Sequence, residues 1–234
     1  MRILAIDTAT EACSAAVLTE TALVGVSREV GRGHAEHILE MVDTVLRQAG
    51  MTLAMLDGIA ASVGPGSFTG VRIGVSVAQG LAFGAGLPAV GVNTLEALAW
   101  PAIRDGATQV LACLDARMGE LYWGCFVAHP QRRLMALGKP AVGPAEGVVV
   151  AFNGAFQGVG RGFAAYPLLQ SLPGVVLAPG ASEALPDARD IAHLAAVRLE
   201  AGEGADPALL TPLYVRDKVA LTEAERSAAR QTAE

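Results

Sequence analysis

The sequence predicts an α/β protein built from two related halves. Three observations carry that expectation. Short apolar runs of strand length alternate with segments of helical period along the 234 residues. A motif made of an apolar run, an aspartate, a turn and a returning apolar run occurs twice. Its aspartate is first Asp7 and then Asp115, about half the chain later. The composition, 52% hydrophobic and 17% charged, supplies a sizeable core and excludes disorder for most of the chain.

The elements follow in order. Ile3-Leu4-Ala5-Ile6 and the run 12–18 read as a hairpin with Asp7 at its mouth, and 21–29 can add a third strand. Residues 34–49 carry a helical period, with Ile38, Met41, Val42, Val45 and Ala49 on one face and Gly50 as the stop. The run 56–63 reads as a buried strand leading into Gly64-Pro65-Gly66-Ser67-Phe68-Thr69-Gly70. Ser67 is placed to cap the helix that runs on to about Gly84. A strand at 87–92 and a helix at 94–103 close the first half. In the second half, 110–114 ends at Asp115 and 121–127 returns, and 130–144 reads as irregular. Residues 187–199 form an amphipathic helix with Ile191, Leu194, Ala195 and Leu199 inward. Thr222-Glu223-Ala224-Glu225 is a capping-box pattern opening a polar tail. The expected division is 1–105, 106–220 and a tail at 221–234.

Charge and cysteine content narrow the function classes. With 17 Lys+Arg against 23 Asp+Glu the net charge is −6, which argues against a chain that grips nucleic acid by itself. Cys13, Cys113 and Cys125 sit in apolar runs without metal-like spacing and read as buried thiols in a reducing compartment. The apolar start is too short for a signal peptide. The uncharged stretch 73–95 holds Gly74, Gly80, Gly84, Gly86, Pro88 and Gly91, too many breakers for one membrane span. The expectation is a soluble, cytoplasmic protein.

The motifs divide into few sharp signals and several bland ones. The 64–70 loop either cradles a phosphate or makes a tight strand-to-helix turn. It lacks the Lys-Ser/Thr ending of a Walker loop, and the turn is favoured. Gly70, Gly74, Ala78, Ala82 and Gly86 recur every four residues, a small-residue ridge that packs on this chain's own sheet or against a partner helix. Val71, Val75 and Leu81 flank it. His34, His37 and Glu40 at three-residue steps fall short of a zinc set and read as a solvated helical turn. His129 and His193 have no visible partners. Gly158-Val159-Gly160-Arg161-Gly162 departs from the dinucleotide fingerprint, and Ser67 lies in no nucleophile elbow. Asp7 and Asp115 are the most catalytic-looking carboxylates, although aspartate is also a common turn residue.

Several of these segments resemble the bacterial TsaB family, also called YeaZ. They are Ile3-Leu4-Ala5-Ile6-Asp7-Thr8-Ala9-Thr10, Gly64 through Gly74, Gly91-Val92-Asn93-Thr94-Leu95-Glu96-Ala97-Leu98, Asp115 through Tyr122, and Pro212 through Ala220. The resemblance spans nearly the whole chain and is weakest over 130–186. It implies an actin-like (ASKHA) fold of two duplicated subdomains, each a mixed sheet with flanking helices. It implies a role in forming N6-threonylcarbamoyladenosine at position 37, beside the anticodon of tRNAs reading codons that begin with A. There the paralogue TsaD transfers the group, the ATPase TsaE supports turnover, and the TsaB subunit is required without performing the transfer. TsaD carries a His-x-x-x-His metal pair after Gly-Val-Asn; here Thr94 and Leu98 follow Gly91-Val92-Asn93, so no metal and no cofactor are expected. The resemblance places the TsaD contact on the first two helices, through His34, His37, Ile38, Met41, Val45, Gly70, Val71, Gly74, Val75, Ala78, Leu81 and Ala82. It implies a homodimer through the same surface when TsaD is absent, a ternary complex with TsaE, and tRNA contact only through the complex. Asp7 and Thr8 are weak nucleotide-binding candidates. The competing functions are an actin-like ATPase or kinase acting alone and a metallo-glycoprotease-like hydrolase.

Overall fold

The structure is a computed structural model and describes residues 1–31 and 33–216. β1 (Ile3–Asp7), β2 (Ala12–Leu18) and β3 (Leu23–Glu29) run as an antiparallel meander. After α1 (His34–Gln48), β4 (Gly58–Ser62) pairs parallel with β1; after α2 (Phe68–Ala85), β5 (Ala89–Val92) pairs parallel with β4. The sheet order is β3-β2-β1-β4-β5. α3 (Thr94–Arg104) leads to a second sheet of β6 (Gln109–Arg117), β7 (Glu120–His129), β8 (Arg133–Ala136), β9 (Ala141–Gly143), β10 (Phe156–Val159) and β11 (Val175–Val176). The short α4 (Gly162–Ala165) lies between the last two strands, and α5 (Ala188–Glu200) follows them. Its order is β11-β10-β6-β7-β8, with β9 also on β7.

The two sheets repeat one topology. In each, a first strand pairs antiparallel with the second and parallel with a strand that returns after a crossover. The duplication read from the Asp7 and Asp115 hairpins is therefore real, and the chain has the actin-like arrangement of two mixed sheets with flanking helices. Both aspartates perform the same local task. Asp7 Oδ1 accepts the Ala9 N–H at 3.0 Å and Asp115 Oδ1 accepts the Arg117 N–H at 2.9 Å, so each carboxylate closes a turn two residues on.

β1, β2 and β4 of the first sheet are buried on both faces, so their apolar residues point alternately into two cores. Leu4 and Ile6 point into a core shared with Ile38, Val45, Val71, Val75 and Ala78 of α1 and α2. Ile3 and Ala5 point the other way, into a core with Ile191, Leu194 and Ala195 of α5 and with α3. Gly58 permits that approach, since a Cβ there would lie 2.7 Å from Leu199. α5 thus comes from the far side of residue 105 yet covers the first sheet. Residues 205–213 stay with it: Ala205 bridges Ala89, and the Leu213 N–H donates to the Val63 carbonyl at 2.6 Å. The stretch expected to be irregular, 130–144, contains β8 and β9. β7 is ten residues long and pairs with both, β8 along its end and β9 along its start, with Leu134 buried to anchor β8. The polar tail at 221–234 and its capping box lie outside the described residues.

Candidate functional site

The 64–74 motif is a packing device. A Cβ on Gly66 would lie 2.2 Å from the Ala9 carbonyl oxygen, one on Gly70 2.1 Å from the Thr8 carbonyl oxygen, and one on Gly74 2.5 Å from Thr8 Oγ1. These three glycines let α2 lie directly on the β1–β2 turn. Three of the loop's amides are engaged within it or with the turn. The Ser67 N–H donates to the Ala9 carbonyl at 2.7 Å, the Gly70 N–H to Ser67 Oγ at 3.3 Å, and the Val71 N–H to the Ser67 carbonyl at 2.9 Å. The turn reading holds, and those donors are not turned to a phosphate.

Asp7 and Thr8 lie beneath this contact. Both are fully buried. The Thr8 hydroxyl donates to the Gly70 carbonyl at 2.7 Å. Asp7 Oδ1 accepts from Ser62 as well as Ala9, while Asp7 Oδ2 is buried without a hydrogen-bond partner among the described residues. Burial pushes the Asp7 carboxyl up to about 6, against the lowering effect of the Ser62 hydroxyl and the Ala9 amide. Neither side chain lines the cleft between the two sheets, so the nucleotide-binding assignment of Asp7 and Thr8 finds no support in their placement.

That cleft has a volume of about 1110 Å³ and lies between the two hairpin turns, the starts of α1 and α2, and Arg161. Its walls are joined by ion pairs across the halves, Glu11 with Arg117 and Glu29 with Arg161, the latter at 2.6 Å. His34 sits at its edge with Nε2 2.8 Å from the Thr10 carbonyl oxygen. That bond, rather than a metal, holds the imidazole. Among the described residues no group of three His, Cys, Asp or Glu is placed to hold a metal ion.

Most of the residues expected at a partner contact face inward. Of the twelve expected residues, His34, Ile38, Met41, Val45, Gly70, Val71, Gly74, Val75, Ala78 and Ala82 are buried within the chain itself. Only His37 and Leu81 keep partial exposure. The ridge faces inward because the β1–β2 turn needs its missing side chains. A second small-residue line, Ser76, Gly80 and Gly84, runs along the outward face of α2, and a Cβ on Gly80 or Gly84 would meet nothing within 4 Å. Ile73 and Val77 are half-buried beside it, and Phe83 is 81% exposed. On α1 the outward residues include Ala35, Leu39 and Asp43. The signal was present in the sequence: three of the four polar residues of α2, Thr69, Arg72 and Ser76, mark its outer face, while the fourth, Gln79, is half-buried against residues 207–210.

The family model for TsaD, tRNA N6-adenosine threonylcarbamoyltransferase, matches residues 24–222. The tRNA threonylcarbamoyladenosine biosynthesis protein TsaB of Escherichia coli (strain K12) is 40% identical over 227 residues, covering 94% of this chain and 96% of that protein. The chain belongs to the TsaB family. The TsaB protein of Haemophilus influenzae is 34% identical over 228 residues, covering 94% of this chain and 95% of its own. The solved structure of YeaZ from Pseudomonas aeruginosa superposes with a TM-score of 0.84 at 40% identity, covering 91% of this chain and 99% of that one. The TsaB resemblance read from the sequence is therefore correct, and the shared architecture extends through the 130–186 region where the motifs were weakest.

Proposed function

We propose that this chain is the non-catalytic partner of TsaD in tRNA threonylcarbamoyladenosine biosynthesis. TsaB-family membership supports the pathway. The partner role rests on one observation, the outward face of α2, where Ser76, Gly80 and Gly84 leave a shallow track beside Ile73, Val77 and Phe83. Small residues at four-residue spacing let a second helix approach closely. With α1 beside it, the surface suits a bundle of two helices from each protein. A second copy of the chain uses the same face when TsaD is absent, TsaE joins the assembled pair, and tRNA is reached through the complex in the cytoplasm. Among the described residues no helix is long and apolar enough to cross a membrane.

The absence of catalysis is supported by side chains. Leu98, at the second position where TsaD carries an imidazole, has no lone pair to offer and is buried in the core, and Thr94 is fully buried. Asp7, the carboxylate best placed by sequence, is sealed under α2.

The test is Gly80→Leu. Its Cβ meets open space, so the isolated protein is expected to melt as the wild type does. Co-elution with TsaD is expected to be lost, because overfilling a close helix contact costs about 1–3 kcal/mol or more. Normal co-elution of a folded Gly80→Leu protein refutes the assignment. Gly74→Leu is no substitute, since the crowding at Thr8 breaks the fold itself.

A further inference from the structure

We propose that Phe68, Arg72 and Tyr214 form a stacking platform that receives one nucleotide of an RNA strand. The proposal rests on the tRNA-modification role above and adds a direct contact from this chain to the RNA. Phe68 opens α2, and Tyr214 lies in the segment that crosses it. Their rings are 42% and 49% exposed, with centroids 5.8 Å apart. The Arg72 guanidinium carbon lies 3.5 Å from the Phe68 centroid and 5.4 Å from that of Tyr214, and Arg72 Nε donates to the Tyr214 hydroxyl at 2.7 Å.

Two features separate this cluster from an ordinary surface contact. The first is charge. Arg2, Arg47, Arg104, Arg117, Arg161, Arg198 and Arg216 each pair with a carboxylate. Arg28, Arg72 and Arg133 have no carboxylate partner among the described residues, and of the three Arg72 alone has its plane fixed by two rings and a phenol, leaving its terminal N–H groups for an outside anion. The second is redundancy. The crossing segment is already held to the first half by the Leu213 amide on Val63 and by Gln79 Nε2 on the Pro207 and Leu210 carbonyls at 3.1 and 3.0 Å. The cluster is not needed to pin it.

A flat ring carrying an anion uses every group present. The base stacks on an aromatic face, and the phosphate meets the pre-oriented guanidinium, whose fork suits two phosphate oxygens. A protein carboxylate would engage Arg72 and leave both rings in water. The cavity behind the cluster measures about 40 Å³, room for water and not for a base. The nucleotide therefore lies on an open shelf, which suits one member of a strand whose other nucleotides are held elsewhere. The chain's net charge of −6 agrees with a single contact rather than an extended phosphate track.

The experiment uses the complex with TsaD and a substrate tRNA titrated at several salt concentrations. Tyr214→Leu is expected to weaken tRNA binding roughly tenfold, the loss of one stacked base. Arg72→Gln is expected to weaken it and to flatten the salt dependence by about one phosphate contact. Calorimetry with TsaD is expected to be unchanged for Tyr214→Leu, which lies outside α2 and its Ser76–Gly80–Gly84 track. Wild-type tRNA affinity in both variants overturns the proposal. Loss of TsaD affinity in Tyr214→Leu overturns it too, by making the cluster a protein contact. Displacement of tRNA by AMP from the wild type alone overturns the assignment to a strand. If the wild-type chain fails to join TsaD at all, the partner role fails. The platform is then judged on the chain alone, by ultraviolet crosslinking to a short single-stranded RNA. A crosslink lost in Tyr214→Leu upholds the platform, and an equal crosslink in both proteins refutes it.

Discussion

Replacing Asp7 by asparagine should remove a pH dependence that the fold builds into its first hairpin. Asp7 is fully buried, with Oδ2 unpartnered among the described residues and the carboxyl raised from 3.8 to about 6, chiefly by burial. A carboxyl raised in the native state binds its proton more tightly there than in the unfolded chain. Its contribution is therefore present in full below pH 3.8 and is lost as the pH rises through about 6. The total loss is about 3 kcal/mol at ~1.36 kcal/mol per pKa unit, of which about 1.4 kcal/mol falls between pH 5 and 8. Asparagine keeps the size and the Oδ1 acceptor used by Ser62 and Ala9 but cannot ionise. Urea unfolding of both proteins across pH 5–8 is the assay. The wild type should lose about 1.4 kcal/mol more than Asp7→Asn over that window. Other titrating groups cancel in the difference. Parallel stability profiles would show that the native carboxylate is solvated or paired, and the reasoning would fall. The same variant mixed with TsaD should still sustain tRNA modification, since Asp7 does not line the cleft.

Asp190 is raised to about 7, by burial first and then by Asp187, while Arg104 at 3.7 Å opposes the rise. Asp190→Asn should therefore remove roughly 2–3 kcal/mol of the stability lost between pH 5 and 8, read by the same unfolding series. Gly74→Ala places a methyl 2.5 Å from Thr8 Oγ1 and should cost about 1–3 kcal/mol, seen as a lower urea midpoint. Arg198→Ala removes the bonds from α5 to the Gly91 carbonyl and the Glu96 carboxylate. It should destabilise by about 1–3 kcal/mol in thermal melts, because a partly buried acceptor and acid are left unpaired.

Much of this fold can be read from residue patterns, because local chemistry and global packing agree along most of the chain. The Asp7 and Asp115 hairpins repeat because the same carboxylate-to-amide turn closes both. α1, α3 and α5 follow their apolar periods. What escapes the pattern is direction. The Gly70–Gly74–Ala78–Ala82 ridge has the right spacing for a partner contact, yet spacing cannot say which side of a largely apolar helix faces the core. The polar residues Thr69, Arg72 and Ser76 settle it, and the missing Cβ atoms turn out to accommodate the Thr8 and Ala9 backbone. β8 and β9 were hidden by the flanking Pro130, Pro140 and Pro144 and by Gly138 and Gly143, and by their shared dependence on the long β7. The aromatic cluster escaped because Phe68 and Tyr214 are 146 residues apart in the chain, and no local motif links them.

Because α5 roofs one side of the opening sheet, synthesis has a built-in delay. A ribosome that has released the first five strands has made a layer whose Ile3 and Ala5 side still awaits its cover. That side is shielded once residues 188–200 have followed, whereas α1 and α2, on the opposite side of the same layer, are already in place.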